Sequence, residues 1–138
     1  MTSYILLLEV KSTIHLVIGS KRFSLSKGEY IYIGSANIRR PYLRIHRHMV
    51  KRKKVKWHID YLTINPNVAI NLGVICYDLS EDMLYSIVLN FFRPTIKGFG
   101  CTDSKKHLSH LFRSCSHKCL GKLIDVFVRM CNAIEFIQ

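Results

Sequence analysis

Between Arg39 and Lys56 the chain carries Arg39, Arg40, Arg44, Arg47, Lys51, Arg52, Lys53, Lys54 and Lys56, and no acidic residue. Cations set this densely repel one another unless a polyanion neutralises them, so the chemistry they suit is phosphate binding. The whole chain shares the bias. Lys and Arg number 21 against 9 Asp and Glu, a formal net charge of +12, with 7 histidines besides. A solvated, basic surface is the plain alternative; the density of the run favours a nucleic-acid partner. A second group of chemical interest is His107, His110, Cys115 and Cys119, residue types that ligate zinc. Their spacing is not that of a standard zinc knuckle, and thiols unconnected to metal are the better reading. The 5 cysteines, odd in number and unevenly spaced, do not read as a secreted disulfide framework.

The elements that must position these groups follow from periodicity. Tyr4 to Val10, Thr13 to Ile18, Arg22 to Leu25 and Glu29 to Ile33 are rich in β-branched, aliphatic and aromatic residues and are separated by Lys11-Ser12, Gly19-Ser20 and Lys27-Gly28. They predict a small antiparallel meander. The period then changes. Leu43, His46, Arg47 and Val50 recur at helical spacing, with Arg40, Arg44, Arg47 and Lys51 as a second stripe. A helix from about Pro41 to Lys51 follows, with Pro41 in its first turn. Trp57 to Leu62 reads as a short helix or turn, and Val68 to Tyr77 as a further strand. Ser80 is a candidate N-cap, with Glu81 and Asp82 in the first turn of a helix running to Phe92. Lys105 to Phe112 predicts a short helix and Leu120 to Phe136 a terminal one. The fold class is α+β, a small antiparallel sheet of three to four strands flanked by helices.

With 138 residues and no linker or repeat, the chain suits a single domain with its own core. No run approaches the roughly 18 apolar residues of a membrane span. The basic helix lacks the wide, aromatic-bearing apolar face of a membrane-surface helix. The expected setting is cytoplasmic, with nucleic acid as partner and no membrane; the oligomeric state stays open.

Tyr4-Ile5-Leu6 in the first strand, Tyr32-Ile33-Gly34 ending a later one and Arg44 in the next helix form an ordered set. That order resembles the GIY-YIG nuclease domain. Gly28, Tyr30, Tyr32, Gly34-Ser35-Ala36 and Arg44-Ile45-His46-Arg47-His48 narrow the resemblance to one branch, found alone in archaea or fused to a DNA glycosylase. In that branch a lysine-rich stretch precedes a motif that stands here as Trp57-His58-Ile59-Asp60-Tyr61-Leu62. Gly98-Phe99-Gly100, Asp103 and His110-Leu111-Phe112 echo its closing motif, although Ser104 and Lys106 replace two cysteines usual there. The resemblance covers about residues 3 to 113, leaving 114 to 138 as a C-terminal extension.

What the resemblance implies is a metal-dependent endonuclease acting on DNA. Tyr4 and Tyr32 would meet at one point, one of them deprotonating or positioning the attacking water, and Arg44 would reach the same point to hold phosphate oxygens. His48 lies one turn below Arg44 on the same helical face and would act with it. Glu81 is the candidate ligand for Mg2+ or Mn2+, with Asp82 next; an alternative register puts Leu84 or Tyr85 there and leaves no carboxylate. Ser35 and Asn37, near the helix start, would position phosphate. Arg39, Arg40, Arg47, Lys51, Arg52, Lys53, Lys54 and Lys56 would bind the nucleic-acid backbone. His58 and Asp60, polar residues in an apolar block, would support the site from behind by fixing one another or the helix ends. The alternative is a catalytically inactive DNA- or RNA-binding module that keeps the fold.

Overall fold

A computed structural model describes residues 1–138 apart from 103–105 and 115–116 and the side chain of His117, so Asp103, Lys105 and Cys115 lie outside the described residues. The elements run β1 (Ser3–Val10), β2 (Ile14–Ile18), β3 (Lys21–Leu25), β4 (Gly28–Ser35), α1 (Tyr42–Met49), α2 (His58–Thr63), β5 (Val68–Cys76), α3 (Glu81–Leu89), β6 (Arg93–Pro94), β7 (Leu111–Arg113), α4 (His117–Met130) and β8 (Ile134–Ile137). The class is α+β as the sequence predicts, but the sheet is larger. Six antiparallel strands lie in the order β6-β7-β4-β1-β5-β8.

The first four strands do not form one meander. β1 pairs directly with β4, from Ser3 opposite Ser35 to Val10 opposite Gly28. β2 and β3 form a separate hairpin, which lays Ile14, Leu16 and Leu25 onto the core. β1 is central and covered on both faces, which explains why it reads as an almost unbroken apolar run. Its even residues Tyr4, Leu6, Leu8 and Val10 face a core shared with Ile45 of α1 and Ile59 and Leu62 of α2. Ile5 faces the other core, with Leu84 and Val88 of α3 and Leu123 and Phe127 of α4. This is the period of two that a strand imposes on its side chains.

Two predicted helices are corrected. Of the helix predicted over Lys105 to Phe112, the described residues 106–110 are not helical and the last two join a strand: Leu111 and Phe112 pair with Tyr32 and Ile31 of β4. The reason is tertiary, since the outer edge of β4 has unpaired backbone that these residues satisfy. The terminal helix stops at Met130, where Asn132 donates its N–H to the Asp78 carboxylate at 3.1 Å. Ile134 to Ile137 then add the last strand to β5. A Cys76–Cys131 disulfide ties the end of β5 to the chain just after α4, and Cys119 is also disulfide-bonded. The expectation of thiols therefore fails for these three; Cys76 and Cys131 are 55 positions apart and meet only through the sheet.

α1 approaches the sheet closely at Gly73 of β5, where an added Cβ would lie 2.5 Å from Ile45 Cγ2. Ile45 is fully buried and has little room to yield. Gly73→Ala is expected to cost about 1–3 kcal/mol by overpacking, read as a lower urea midpoint at unchanged slope; an unchanged midpoint would mean that α1 does not pack this closely.

Candidate active site

The antiparallel register puts the start of β1, the end of β4 and the end of β5 at one end of the sheet. A cleft of about 550 Å3 opens there, lined by Tyr4, Tyr32, Gly34, Ser35, Arg44, Lys56, Trp57, His58, Glu81, Gly100, Thr102 and His110. Tyr4, Tyr32, Arg44 and Glu81, far apart in sequence, share this space. Tyr4 sits opposite Gly34 across the β1–β4 ladder, and its ring lies over that glycine: a Cβ at Gly34 would be 2.5 Å from Tyr4 Cζ and Oη. Tyr32, two residues earlier on the same face, comes to 6.4 Å from Tyr4 between ring centroids. Gly100 closes over Tyr32 in a left-handed conformation (φ +74°), where a Cβ would be 3.0 Å from Tyr32 Oη. Its N–H donates to His58 Nδ1 at 3.0 Å.

His48 is fully buried, and its Nε2 is 2.8 Å from Tyr4 Oη. Burial, with Lys53 close by, pushes the imidazole down to about 3, so it is neutral at physiological pH. Burial also raises the Tyr4 phenol, helped by neighbouring Tyr32, and raises Tyr32, helped by Glu81. Both tyrosines are therefore protonated hydroxyls in the resting protein. The natural direction of the buried bond is from Tyr4 O–H to a neutral His48 Nε2. Arg44 Nη1 donates to the Ser35 carbonyl at 2.6 Å, which anchors the guanidinium at the cleft wall.

Asp60 fixes this arrangement from behind. It is fully buried and accepts both Nη groups of Arg47, at 2.8 and 2.9 Å, and the N–H groups of Lys56 and Trp57 at the start of α2. Burial pushes its carboxyl up, but these donors outweigh burial and hold it at about 2. His58 and Asp60 thus support the site separately rather than through one another.

Three residues expected on nucleic acid have structural partners instead. Arg47 is held by Asp60. Lys51 Nζ binds the carbonyls of Asn65 and Val68, and Lys53 Nζ binds those of Arg47 and His48 at 3.0 Å, satisfying the end of α1. Buried or half-buried carbonyls at element ends need donors, and local lysines supply them. Arg39, Arg40, Arg52, Lys54 and Lys56 remain exposed, and Lys56 reaches the cleft. Ser35 lines the cleft; Asn37 does not, and its Oδ1 accepts the Thr2 N–H at 2.7 Å. Glu81, capped into α3 by Ser80, faces the cleft, whereas Leu84 and Tyr85 belong to the core. Glu81 thus lines the cleft, and Leu84 and Tyr85 do not. Sequence reading missed Trp57 as a cleft residue: Arg44, Arg47 and Lys56 lie over its ring at 5.3, 4.3 and 4.9 Å. It also missed His110 on the cleft wall. The Cys119 sulfur, bound in a disulfide, offers no thiolate to the zinc set considered above.

Fold and site together define an α+β domain with a polar cleft, built of two tyrosines, an arginine and a carboxylate, at one end of its sheet. Residues 3–133 match the family described as Domain of unknown function DUF123, and the chain belongs to that family. No curated protein and no solved structure matches the chain.

A His48 pKa depressed from its usual 6.5 to about 3 makes the unfolded chain the better proton binder between those values. Stability tied to His48 is thus complete above about pH 6.5 and lost as pH falls toward 3, with a slope of about 1.4 kcal/mol per pH unit. His48→Gln is expected to remove that slope, seen by comparing urea unfolding of the two proteins from pH 7 to pH 4. Equal slopes would show that His48 is protonated in the fold.

Proposed function

We propose that this protein is a metal-dependent endonuclease of the GIY-YIG type that hydrolyses phosphodiester bonds in DNA. The observation that carries the reading is the sharing of one cleft by Tyr4, Tyr32, Arg44 and Glu81, in the order in which the sequence resembles that superfamily. The exposed cations Arg39, Arg40, Arg52, Lys54 and Lys56 supply the attraction for the DNA backbone. That no helix among the described residues is long and apolar enough to cross a membrane agrees with such a partner without requiring it.

The chemistry assigns distinct tasks. Arg44, anchored on Ser35, presents its remaining N–H groups to the non-bridging oxygens of the scissile phosphate, where charge grows during attack. Tyr4 and Tyr32, as neutral hydroxyls, orient the attacking water. Neutral His48 Nε2 accepts the Tyr4 O–H, which holds the hydroxyl in one orientation and leaves the Oη lone pairs to accept a hydrogen bond from the water. Glu81 offers a single carboxylate, the donor set that suits a cation otherwise completed by waters and substrate phosphate, as Mg2+ and Mn2+ are commonly held. Such a cation, when bound, supplies charge for the phosphoryl and leaving oxygens. A carboxylate beside the two tyrosines weighs against the inactive-module alternative, which is favoured where none is present.

Cleavage of supercoiled, nicked, branched and single-stranded DNA with Mg2+ or Mn2+, against EDTA, tests the reading. Metal-dependent cleavage is expected, reduced about 100- to 1,000-fold by Arg44→Ala and strongly by Glu81→Gln. Binding without cleavage on every substrate would leave a binding module in its place. Separately, Arg39→Ala and Arg40→Ala should each reduce the salt dependence of DNA binding by about one unit of log–log slope. An unchanged slope would place the DNA elsewhere.

A further inference from the structure

On the Glu81 side of the cleft, Glu81, His107 and His110 each bring one ligand-type atom to a common space, all within 4.8 Å of one another. His107 Nδ1 and His110 Nε2 are 2.8 Å apart, and His110 Nε2 is 3.7 Å from Glu81 Oε1. Nitrogen and oxygen donors at about 2.0–2.1 Å from one tetrahedral zinc ion are roughly 3.3 Å from each other. The two observed separations bracket that edge, and the third pair lies within 4.8 Å.

The surroundings are also those of a metal-bound histidine. His107 Nε2 is 2.8 Å from Asp82 Oδ1, a carboxylate that fixes Nε2 as the protonated nitrogen and leaves the Nδ1 lone pair toward His110 and Glu81. Such outer partners set the tautomer of metal-ligating histidines. Tyr85 stacks on the His107 ring at 4.1 Å and 14° and is itself fixed by the Leu108 N–H, which donates to its hydroxyl at 2.9 Å. His107 and His110 are buried, whereas Glu81 and His110 line the cleft. Without metal, His110 Nε2–H can donate to His107 Nδ1; with metal, His110 carries its proton on Nδ1 and both facing nitrogens become ligands.

We propose that Glu81, His107 and His110 form a three-ligand site for a first-row transition-metal dication of the zinc class, open to the cleft on one side. Two imidazoles and one carboxylate select such a cation over magnesium, which prefers oxygen donors and keeps most of its waters. An open fourth position is the mark of a catalytic rather than a structural zinc site. The inference rests on the nuclease reading only for a role in cleavage, and there it replaces magnesium at Glu81 with a zinc-class dication; its observations are those of a binding site and do not depend on hydrolysis.

Cobalt(II) titrated into chelator-stripped full-length protein, followed by visible absorption, tests it. One equivalent is expected to bind with the d–d bands of low coordination, displaced by zinc and not by millimolar magnesium. His110→Ala and Glu81→Gln should abolish the bands, and the exposed His46→Ala should keep them. Asp82→Asn should weaken cobalt binding about 10- to 100-fold. Because His107 and His110 are buried, metal-free thermal melts accompany each variant; Asp82, with its side chain 74% exposed, tests the site without disturbing the core. Absence of cobalt uptake, bands retained in His110→Ala, or displacement by magnesium would each overturn the proposal. Cobalt uptake without DNA cleavage would leave the site standing and remove the nuclease reading; magnesium-dependent cleavage without cobalt uptake would do the reverse.

Discussion

The placement of the Tyr4 ring across Gly34 is the constraint on which the site depends. Only a residue without a Cβ can sit there, since one would fall 2.5 Å from the phenol. With the glycine in place, the ring lies flat enough along the sheet for its hydroxyl to reach His48 on α1. The same register, Tyr4 opposite Gly34 and Leu6 opposite Tyr32, fixes the diagonal that sets the two tyrosines on one face. A slip of one residue between the two strands would turn one of the tyrosines into the opposite core. The burial of alternate residues on both faces makes such a slip costly, so packing of the central strand holds the hydroxyls in place.

Asp60 performs the equivalent task for the basic segment. A run of nine cations would disrupt a folded surface by mutual repulsion, yet here much of it is organised around one buried carboxylate. Arg47 forks onto Asp60, Lys53 lies 3.8 Å from it, and the same oxygens cap α2. Breaking a buried pair of this kind leaves an uncompensated charge, which costs about 3–5 kcal/mol. The charge density that reads as a nucleic-acid surface is thus partly internal wiring: some cations end helices and some hold Trp57, and the exposed remainder is available to a polyanion.

How much was legible in the sequence depends on how local each feature is. α1 and α3 follow from periodicity and capping: Ser80 accepts the Met83 N–H as an N-cap should. The tyrosine pair, Arg44 and Glu81 were legible as candidates through their order along the chain, and the cleft brings them together. What escaped was set by contacts distant in sequence. Leu111 to Arg113 have no strong strand signal and pair because β4 offers an edge. Ile134 to Ile137 look like the end of a helix until the Asn132–Asp78 contact ends α4. Cys76 and Cys131 cannot be matched without the sheet that joins them. Lys51 and Lys53 look like phosphate ligands because their carbonyl partners are invisible in sequence.

The electrostatics of the cleft turn on Glu81, which among the described lining residues is the one carboxylate beside Arg44 and Lys56. Arg44 and Lys56 bring positive charge to the cleft, while Glu81 brings negative charge and adds to the rise of the Tyr4 and Tyr32 hydroxyls. The negative charge of Glu81 disfavours a tyrosinate at either hydroxyl. Neutralising it removes one of the influences that raise the tyrosines and lets the lowering influence of Arg44 count for more. Compensation for the Glu81 charge is at hand, with His110 Nε2 3.7 Å from its Oε1. Its position beside two histidines, one of them oriented by Asp82, gives the compensation a physical form that lies within the same wall.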